Sequence, residues 1–288
     1  MTSITTTTAS VTSVSDDTIL SDEIRTIGMV WRRELIRFVR TRTRILTGLV
    51  QPLLFLFVLG YGMSTLVGTT GGFDFKKFVF PGIVAMSVVS TAIFAAMSIV
   101  WDREFGFLRE MLIAPVSRTA LVLGKTAGGA TIATAQGTIM LVLAPLIGVH
   151  LTPLLVVEVI GLELLMAIAL TAFGVFIASR ISKMESFQVV MQLLLLPMLF
   201  LSGAMFPLAG LPSWLAAITR INPLTYAVDP LRHVVFAAQQ MPAAARQRFP
   251  TGIELFGHTL PLVAEIGIVA AFAVVFLSLA IHAFGRPE

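Results

Sequence analysis

The sequence predicts an all-α membrane protein with six transmembrane helices. An N-terminal amphipathic interfacial helix is expected before them, and short re-entrant helices on the outer side between spans five and six. Of the 288 residues, 56% are hydrophobic and 12% are charged, and the mean hydropathy is +0.91. A soluble domain carries about 25% charged residues, so this composition is typical of a chain that resides in a bilayer. The lengths of the apolar stretches and the positions of the basic residues support the same fold class.

Six apolar stretches reach the roughly 20 residues that a helix needs to cross a bilayer. They are Ile45–Leu66, Val79–Trp101, Leu121–Val149, Val156–Ser179, Phe187–Phe206 and Leu260–Phe284. The third stretch is long enough to tilt or to project beyond the bilayer. Together they define a transmembrane domain over residues 45–284. Residues 1–20 are rich in Thr and Ser, do not have the pattern of a secretory signal peptide, and are predicted to form a disordered cytoplasmic tail.

The basic residues predict the orientation of these spans. With the N-terminus inside, the inner segments hold 14 of the 20 lysines and arginines and the outer segments hold six. Cytoplasmic segments of membrane proteins carry this excess. We therefore expect a multi-pass protein of the cell membrane with both termini in the cytoplasm.

Residues 21–44 are predicted to form a basic amphipathic helix in the membrane interface. Apolar and basic side chains recur at helical spacing on largely different faces. The apolar set is Ile24, Ile27, Trp31, Leu35 and Phe38, and the basic set is Arg25, Arg32, Arg33, Arg37 and Arg40. Such a helix either anchors the first span or docks a partner, and both interpretations remain open.

Residues 102–118 form the inner loop between spans two and three, where charged and aromatic side chains alternate. The charged residues are Asp102, Arg103, Glu104, Arg109 and Glu110, and the apolar ones are Phe105, Phe107, Leu108, Met111 and Leu112. Pro115 ends any helix that starts near Asp102. The loop is either a short helix presented to a soluble partner or an ordinary solvated loop.

Gly124–Thr126 reads Gly-Lys-Thr, the end of a phosphate-binding loop motif. The motif requires a glycine at position 119, which is a threonine, so we do not expect the chain to bind ATP. Lys125 is instead expected to extend to the membrane interface. Gly124 and Gly128 form a small-xxx-small pair that permits close helix approach.

The sequence shows no catalytic or metal-binding constellation. Cysteine is absent, and the four histidines are scattered. Carboxylates within spans are costly and often functional, and Glu158 and Glu163 lie in span four, with Glu265 near the start of span six. They are either a proton relay or structural carboxyl groups, and the second interpretation is favoured.

Residues 206–258 are too polar and broken to cross the bilayer, yet they carry helix signals. Pro212, Pro223 and Pro230 are placed as helix starters, and Asn222 and Asp229 precede two of them as N-caps. An apolar face is formed by Trp214, Leu215, Ile218 and Ile221. We expect short half-helices that dip into the outer leaflet with their apolar faces packed inward; a surface loop is the alternative.

Two segments on opposite sides of the predicted membrane resemble one known family. Leu201–Arg232 reads LSGAMFPLAGLPSWLAAITRINPLTYAVDPLR, and Asp102–Arg118 reads DREFGFLREMLIAPVSR. They resemble the closing motif and the cytoplasmic loop of the type-2 class of ABC exporter permeases, and the resemblance extends over nearly the whole chain. Within that family the chain is most similar to daunorubicin-type permeases of antibiotic and multidrug resistance.

The resemblance implies a permease subunit that is not itself an enzyme. Such permeases pair with a second permease copy, as a homodimer or with a close paralogue, and dock separate subunits that bind ATP and Mg. The implied function is ATP-driven outward transport of an amphipathic drug or lipid-like substrate by alternating access. No cofactor, metal or nucleic acid is expected on this chain, and membrane lipid would surround it.

The resemblance also implies roles for individual residues. Coupling to the ATP-binding subunit would involve Asp102, Glu104, Phe105, Gly106, Phe107, Leu108, Arg109 and Glu110. The interfacial helix would add Trp31, Arg32, Arg33 and Arg37. An outer lid would contain Pro207, Pro212, Trp214, Asn222, Pro223, Tyr226, Asp229 and Arg232. Spans two and five would line the substrate path, with Phe94, Met97 and Phe200 at its wall.

A proton-coupled secondary transporter that uses the intramembrane Glu163 is the alternative. That class is built from repeats with broken helices in matching positions. The sequence shows a broken segment only after span five, without a counterpart in the first half. A membrane enzyme or a sensor scaffold has no catalytic residues to support it.

Overall fold

The computed structural model describes residues 16–67, 74–106, 117–208, 211–239, 252–255 and 258–285. Within these ranges the helices are α1 (Asp16–Arg40), α2 (Arg42–Val67), α3 (Phe75–Glu104), α4 (Arg118–Val142), α5 (Pro153–Ala178), α6 (Met184–Phe200), α7 (Ser213–Ile221), α8 (Pro223–Ala238) and α9 (Leu262–Gly285). A 3₁₀ turn (Ala144–Ile147) follows α4. Two short strands, β1 (Glu254–Leu255) and β2 (His258–Thr259), pair antiparallel before α9. The all-α prediction is confirmed.

Helix α3 is the centre of the bundle. It contacts α2, α4, α5, α6 and α8, and Phe78, Phe80 and Ile83 in its first half are fully buried. Helices α4 and α5 pack against it and against each other, and α9 packs on α5. Helix α1 lies on α4, so the predicted interfacial helix is docked on the bundle.

Four of the described helices contain segments long and apolar enough to cross a membrane: Ile45–Ser64, Phe75–Glu104, Pro153–Ala178 and Leu262–Gly285. Helix α6 has 17 residues, about 25 Å at 1.5 Å per residue, which is short of a full span. Helix α4 is long enough, but Gly, Thr and a glutamine lower its hydropathy. The chain is a multi-pass membrane protein, and its count of six spans stays a prediction.

Contacts at the helix ends show how the bundle is ordered. Arg103 near the C-terminus of α3 donates to Ser179 at the C-terminus of α5, and Arg118 at the start of α4 donates to Phe284 near the end of α9. These termini define one end of the bundle, which we call the α1 end. Phe78 at the start of α3 packs on Phe236 of α8, so α8 lies at the opposite end, the α8 end.

Several predicted boundaries are wrong by a few residues. Helix α1 begins at Asp16, inside the expected disordered tail, and ends at Arg40 rather than at residue 44. The third stretch ends at Val142, because Pro145 lies in the 3₁₀ turn and Gly148 has φ 79°. The fifth ends at Phe200, since Gly203 turns the chain with φ 78°.

Candidate functional site

The C-terminal turn of α3 binds four other helices through three consecutive charged residues. Asp102 contacts α1 and α4, Arg103 contacts α5, and Glu104 contacts α6. We call these three residues the α3 junction. These three residues were predicted to open the inner loop 102–118, but they belong to α3, and the rest of that loop follows them in the sequence.

The first contact of the junction is a buried charge cluster around Lys125. The Lys125 ammonium lies 2.7 Å from Asp102 Oδ2, 2.7 Å from Glu34 Oε1 and 3.0 Å from Ser98 Oγ. An ammonium has three donors, and all three are used. Arg33 Nη2 lies 3.2 Å from both carboxylate oxygens of Asp102, so two acids face two bases. Buried charges are tolerated when they are paired and hydrogen-bonded in this way.

Two glycines on α4 make the cluster possible. A Cβ at Gly124 would lie 2.7 Å from Val30 Cβ, and one at Gly128 would lie 2.8 Å from Glu34 Cβ. Helix α1 therefore approaches α4 closely enough for Glu34 to reach Lys125. The predicted role of this glycine pair is confirmed. The expectation that Lys125 extends to the membrane interface is wrong, because its side chain is buried between two carboxylates.

Arg103 and Glu104 satisfy backbone groups at the ends of α5 and α6. Arg103 Nη1 donates to the carbonyl oxygens of Ala178, Ser179 and Ile181 at 3.4, 3.1 and 3.2 Å. Glu104 Oε2 accepts the N–H of Met184 at 3.0 Å. The last carbonyls and first amides of a helix have no partners within it, and each charge has the sign that the helix dipole favours there. The junction thus binds both the C-terminus of α5 and the N-terminus of α6.

The interfacial helix makes further contacts on the same side of the bundle. Trp31 Nε1 donates to Thr131 Oγ1 on α4 at 3.1 Å, and the Arg37 guanidinium lies 5.8 Å from the Trp101 ring on α3. Arg32 is exposed. On the predicted apolar face Phe38 is buried in the bundle, whereas Ile24 is 69% exposed and free to contact lipid; the acidic Glu34 is buried beside Phe38.

The predicted coupling residues occupy different environments. Asp102 is buried and bound by Lys125 and Arg33, so its side chain is not a surface for a partner. Phe105 is 59% exposed, and Gly106 has φ 80°, a conformation that suits glycine. Phe107, Leu108, Arg109 and Glu110 lie outside the described residues.

Sequence reasoning missed Glu34, Ser98 and Lys125 as parts of one cluster. Glu34 falls between Val30 and Phe38 at helical spacing, so an acid on the buried face of a basic helix was the available signal. Its partner Lys125 is 91 residues away, and nothing local connects the two.

At the α8 end, one predicted helix start is confirmed and one is wrong. Asn222 Oδ1 accepts the N–H of Leu224 at 3.1 Å as the N-cap of α8, and its Nδ2 donates to the Met198 carbonyl on α6 at 2.7 Å. Pro223 occupies the first turn of α8. Helix α8 continues through Pro230, so Asp229 is not an N-cap.

Asp229 and Arg232, both assigned to the outer lid, are buried. Asp229 Oδ2 accepts the N–H of Gly252 at 2.9 Å and lies 3.3 Å from His233 Nδ1. Arg232 donates to the Gly203 carbonyl, and its guanidinium lies 4.5 Å from the Phe78 ring centroid. These contacts fix α8 against the turn after α6 and against the start of α3.

The first of the outer helices differs from the prediction. Pro212 is the N-cap residue of α7, and Tyr226 Oη on α8 donates to the Arg220 carbonyl at the end of α7 at 2.6 Å. The predicted apolar face of α7 does not pack inward, because Trp214 is 65% exposed and Ile221 is 82% exposed. Pro207 lies in the irregular segment between α6 and α7.

Two adjoining cavities open between the helices. One of about 540 Å³ lies between α1, α2, α3 and α4, and one of about 300 Å³ lies between α2, α3 and α6. Phe94 lines both and Met97 lines the larger, whereas Phe200 lines neither. The predicted wall positions on span two therefore line cavities, and the one on span five does not.

The intramembrane carboxylates do not share a cavity. Glu163 is fully buried, 3.4 Å from Thr138 Oγ1, and lines neither of the two cavities. Glu158 is exposed on the same helix. Glu265 is buried in the first turn of α9. This placement agrees with structural roles better than with a relay.

The fold and the site define a helical multi-pass membrane protein whose central helix is bound to four neighbours directly before a predicted docking loop. The sequence model of the family described as "ABC-2 type transporter" matches residues 25–236. The chain belongs to that family, which points to the membrane subunit of a transporter. Family membership implies partnership with an ATP-binding subunit.

Curated relatives carry names from the same family. The chain is 31% identical to Nodulation protein J of Rhizobium leguminosarum bv. trifolii over 211 residues, 72% of this chain and 79% of that protein. It is 29% identical to the putative transport permease ycf38 of Cyanophora paradoxa over 219 residues, 73% of each chain. The ycf38 protein of Pyropia yezoensis is 26% identical over 254 residues, 87% of this chain and 84% of that protein. These names do not support the placement among drug-resistance permeases.

Proposed function

We propose that the chain is the membrane permease of an ATP-driven exporter. Two copies, or one copy and a close paralogue, would pair in the cell membrane and dock two separate subunits that bind ATP and Mg. The α1 end would face the cytoplasm and the α8 end the outside, as the distribution of basic residues predicts. The complex would move an amphipathic molecule outward by alternating access.

The α3 junction is the observation that carries this proposal. Residues 107–116 follow it, and a partner that moves this loop pulls on the C-terminus of α3. Because Asp102, Arg103 and Glu104 bind α1, α4, α5 and α6, the displacement reaches five helices at one level of the bundle. Packed interiors transmit such displacements because they do not compress easily.

The interfacial helix would be the second contact for the ATP-binding subunit. Arg32 is exposed on α1, while Glu34, two residues later and on the opposite side of the helix, binds Lys125 inside the bundle. A partner surface that pushes on the exposed face therefore acts on the buried cluster as well. This arrangement supports a docking role for α1 over a simple anchor.

The substrate path would follow the two cavities. Both are lined by α2 and α3, and the smaller also by α6. Phe94 contacts both spaces and is a candidate contact for the apolar part of a substrate. Helices α7 and α8 at the opposite end would form the outer lid. The secondary-transport alternative gains no support from the position of Glu163.

The test is a complex of the chain with its ATP-binding subunit in proteoliposomes. We expect the double variant Glu104→Ala/Arg109→Ala to retain basal ATP hydrolysis and to lose transport, because the loop no longer moves α6 and the partner together. Glu158→Ala, an exposed charge near the start of α5 and away from the loop, is the matched control for loss of one exposed charge. Normal transport by the double variant would show that the coupling assignment is wrong. Transport driven by a proton gradient without ATP would overturn the proposal itself.

A further inference from the structure

The glutamines of the described helices are distributed unevenly. Helices α1–α9 contain four, at positions 51, 136, 188 and 192, on α2, α4 and α6. Gln51 and Gln136 line the larger cavity, and Gln51, Gln188 and Gln192 line the smaller one. Every glutamine in these helices therefore faces one of the two cavities, and Gln51 faces both.

The two cavities are largely apolar, and most of the polar side chains that line them are uncharged. Ser90 and Phe94 line both spaces, so the cavities adjoin along one side of α3. No charged residue lines the smaller cavity within the described part of the chain. In the larger one the charged lining residue is Arg37, which lies at the α1 end 3.9 Å from Asp102.

Gln136 provides an independent sign of a ligand. Its side chain is 1% exposed, and its Nε2 donates to the Ile45 carbonyl at 3.3 Å. Its Oε1 is buried beside the cavity without a hydrogen-bond partner among the described residues. An unsatisfied buried acceptor is costly, and a donor group on a molecule in the cavity would satisfy it.

We propose that Gln51, Gln136, Gln188 and Gln192 form one amide track that selects amphipaths with an uncharged head rich in hydroxyl or amide groups. This inference rests on the proposed transport function and names the substrate class for its path. A carboxamide both donates and accepts hydrogen bonds, so it suits hydroxyl and amide heads. A cationic head would lose its hydration without an opposite charge among the described lining residues, and an anionic head would meet Arg37, at the α1 end and already beside Asp102. Phe94, between the two cavities, would contact the alkyl part.

The test measures binding to the full chain in nanodiscs. The probes share one dansyl-labelled alkyl chain and differ in the head: a glucoside, a phosphate monoester and a trimethylammonium. The chain has three tryptophans, and Trp101 lines the larger cavity. With Trp31→Phe and Trp214→Phe, energy transfer from Trp101 to dansyl reports occupancy. We expect saturable transfer with the glucoside at an apparent Kd at least tenfold below that of either charged probe.

Variants of the track separate specific binding from partition into lipid. Gln188 and Gln192 are exposed on α6, so Gln188→Leu/Gln192→Leu leaves the interior packing unchanged and is expected to weaken glucoside binding about tenfold. Gln192→Lys is expected to improve phosphate binding instead. Gln239→Leu, at the α8 end and outside both cavities, is the matched control and should bind like the parent chain.

Equal binding of the three heads, or unchanged glucoside binding in the Gln188→Leu/Gln192→Leu variant, would overturn the amide track. This assay contains no ATP-binding subunit, so a failure of ATP coupling leaves its result intact. Conversely, normal ATP-driven transport together with head-independent binding would overturn the track alone.

Discussion

Lys125 on α4 and Glu34 on α1 form a buried ion pair with a distance of 2.7 Å between Nζ and Oε1. The pair joins the interfacial helix to the bundle at the level where α3 ends, because the same ammonium also binds Asp102. The two helices are in contact through glycines at positions 124 and 128. Glu34, Lys125 and Asp102 therefore form one structural unit, which both holds α1 on the bundle and fixes the α3 junction.

The first prediction concerns the charge of this unit. Lys125→Met is expected to destabilise the chain by about 3–5 kcal/mol, because it leaves Glu34 and Asp102 buried without their shared cation. The measurement is thermal unfolding in detergent. Adding Glu34→Gln to Lys125→Met should recover part of the loss, with a coupling energy of about 0.5–3 kcal/mol between the two sites. Strict additivity of the two variants would contradict the pairing.

The second prediction concerns the close approach of α1 to α4. Gly128→Leu is expected to displace α1, because even a Cβ at this position would lie 2.8 Å from Glu34 Cβ. Amide hydrogen exchange over residues 16–40 should then become faster. Gly28→Leu is the matched control, since a Cβ there meets no atom within 4 Å. Equal exchange rates in the two variants would show that α1 is not held through Gly128.

The third prediction concerns the outer helices and pH. Helix α8 is not among the described helices that are long and apolar enough to cross a membrane. The Asp229 carboxylate, 3.3 Å from His233 Nδ1, raises the pKa of the imidazole above its ordinary value of 6.5, although burial acts against it. Glu265 on α9 is the other titratable group that acts on His233, and it favours the charged imidazole too. The stabilisation is therefore complete below the unfolded pKa and is lost as pH rises through the folded one.

Hydrogen exchange over residues 223–238 reports this pH dependence. We expect protection to fall as the pH rises above the ordinary histidine range. His233→Gln should remove the dependence, whereas His258→Gln, at the exposed end of β2, should keep it. An unchanged pH profile in His233→Gln would refute the role of the Asp229–His233 pair.

The fourth prediction compares two positions of α8. Asn222→Ala removes both the N-cap bond to Leu224 and the bond to the Met198 carbonyl. It is expected to cost about 1–2 kcal/mol. Pro230→Ala restores a backbone N–H inside the helix and is expected to leave stability unchanged or to raise it. If Pro230→Ala were instead more destabilising than Asn222→Ala in thermal unfolding, the stability of α8 would depend on a proline at position 230.

Local signals predicted part of the fold and missed the rest for identifiable reasons. Asn222-Pro223 forms the predicted cap because the N–H that the Asn222 side chain accepts belongs to Leu224, two residues away. Asp229-Pro230 has the same local signal, but the backbone N–H of Gly252, 23 residues away, takes the Asp229 carboxylate instead. Tertiary contacts of this kind leave no trace in the surrounding sequence.

In the candidate site, too, local features were predicted and features that depend on distant residues were missed. The loop after span two was found from its charges and aromatic residues, whereas the buried state of Asp102 depends on Lys125 and Glu34. Lys125, one turn inside an apolar helix, is typical of a side chain that reaches the interface. Its side chain is buried instead because α1 approaches α4 closely and brings Glu34 to the ammonium.

The contact between Glu104 and Met184 gives α6 the properties of a lever. Its N-terminus is held at the α3 junction, and near its other end the Met198 carbonyl accepts the Asn222 amide at the start of α8. The arm between these points is about 20 Å long at 1.5 Å per residue. A tilt of about 10° at the junction then shifts the C-terminal end of α6 by roughly 3–4 Å over that length. This displacement exceeds the 2.7 Å length of the hydrogen bond from Asn222 to the Met198 carbonyl. In the proposed orientation, a small rotation of α6 at the cytoplasmic end would break its contact with α8 at the outer end.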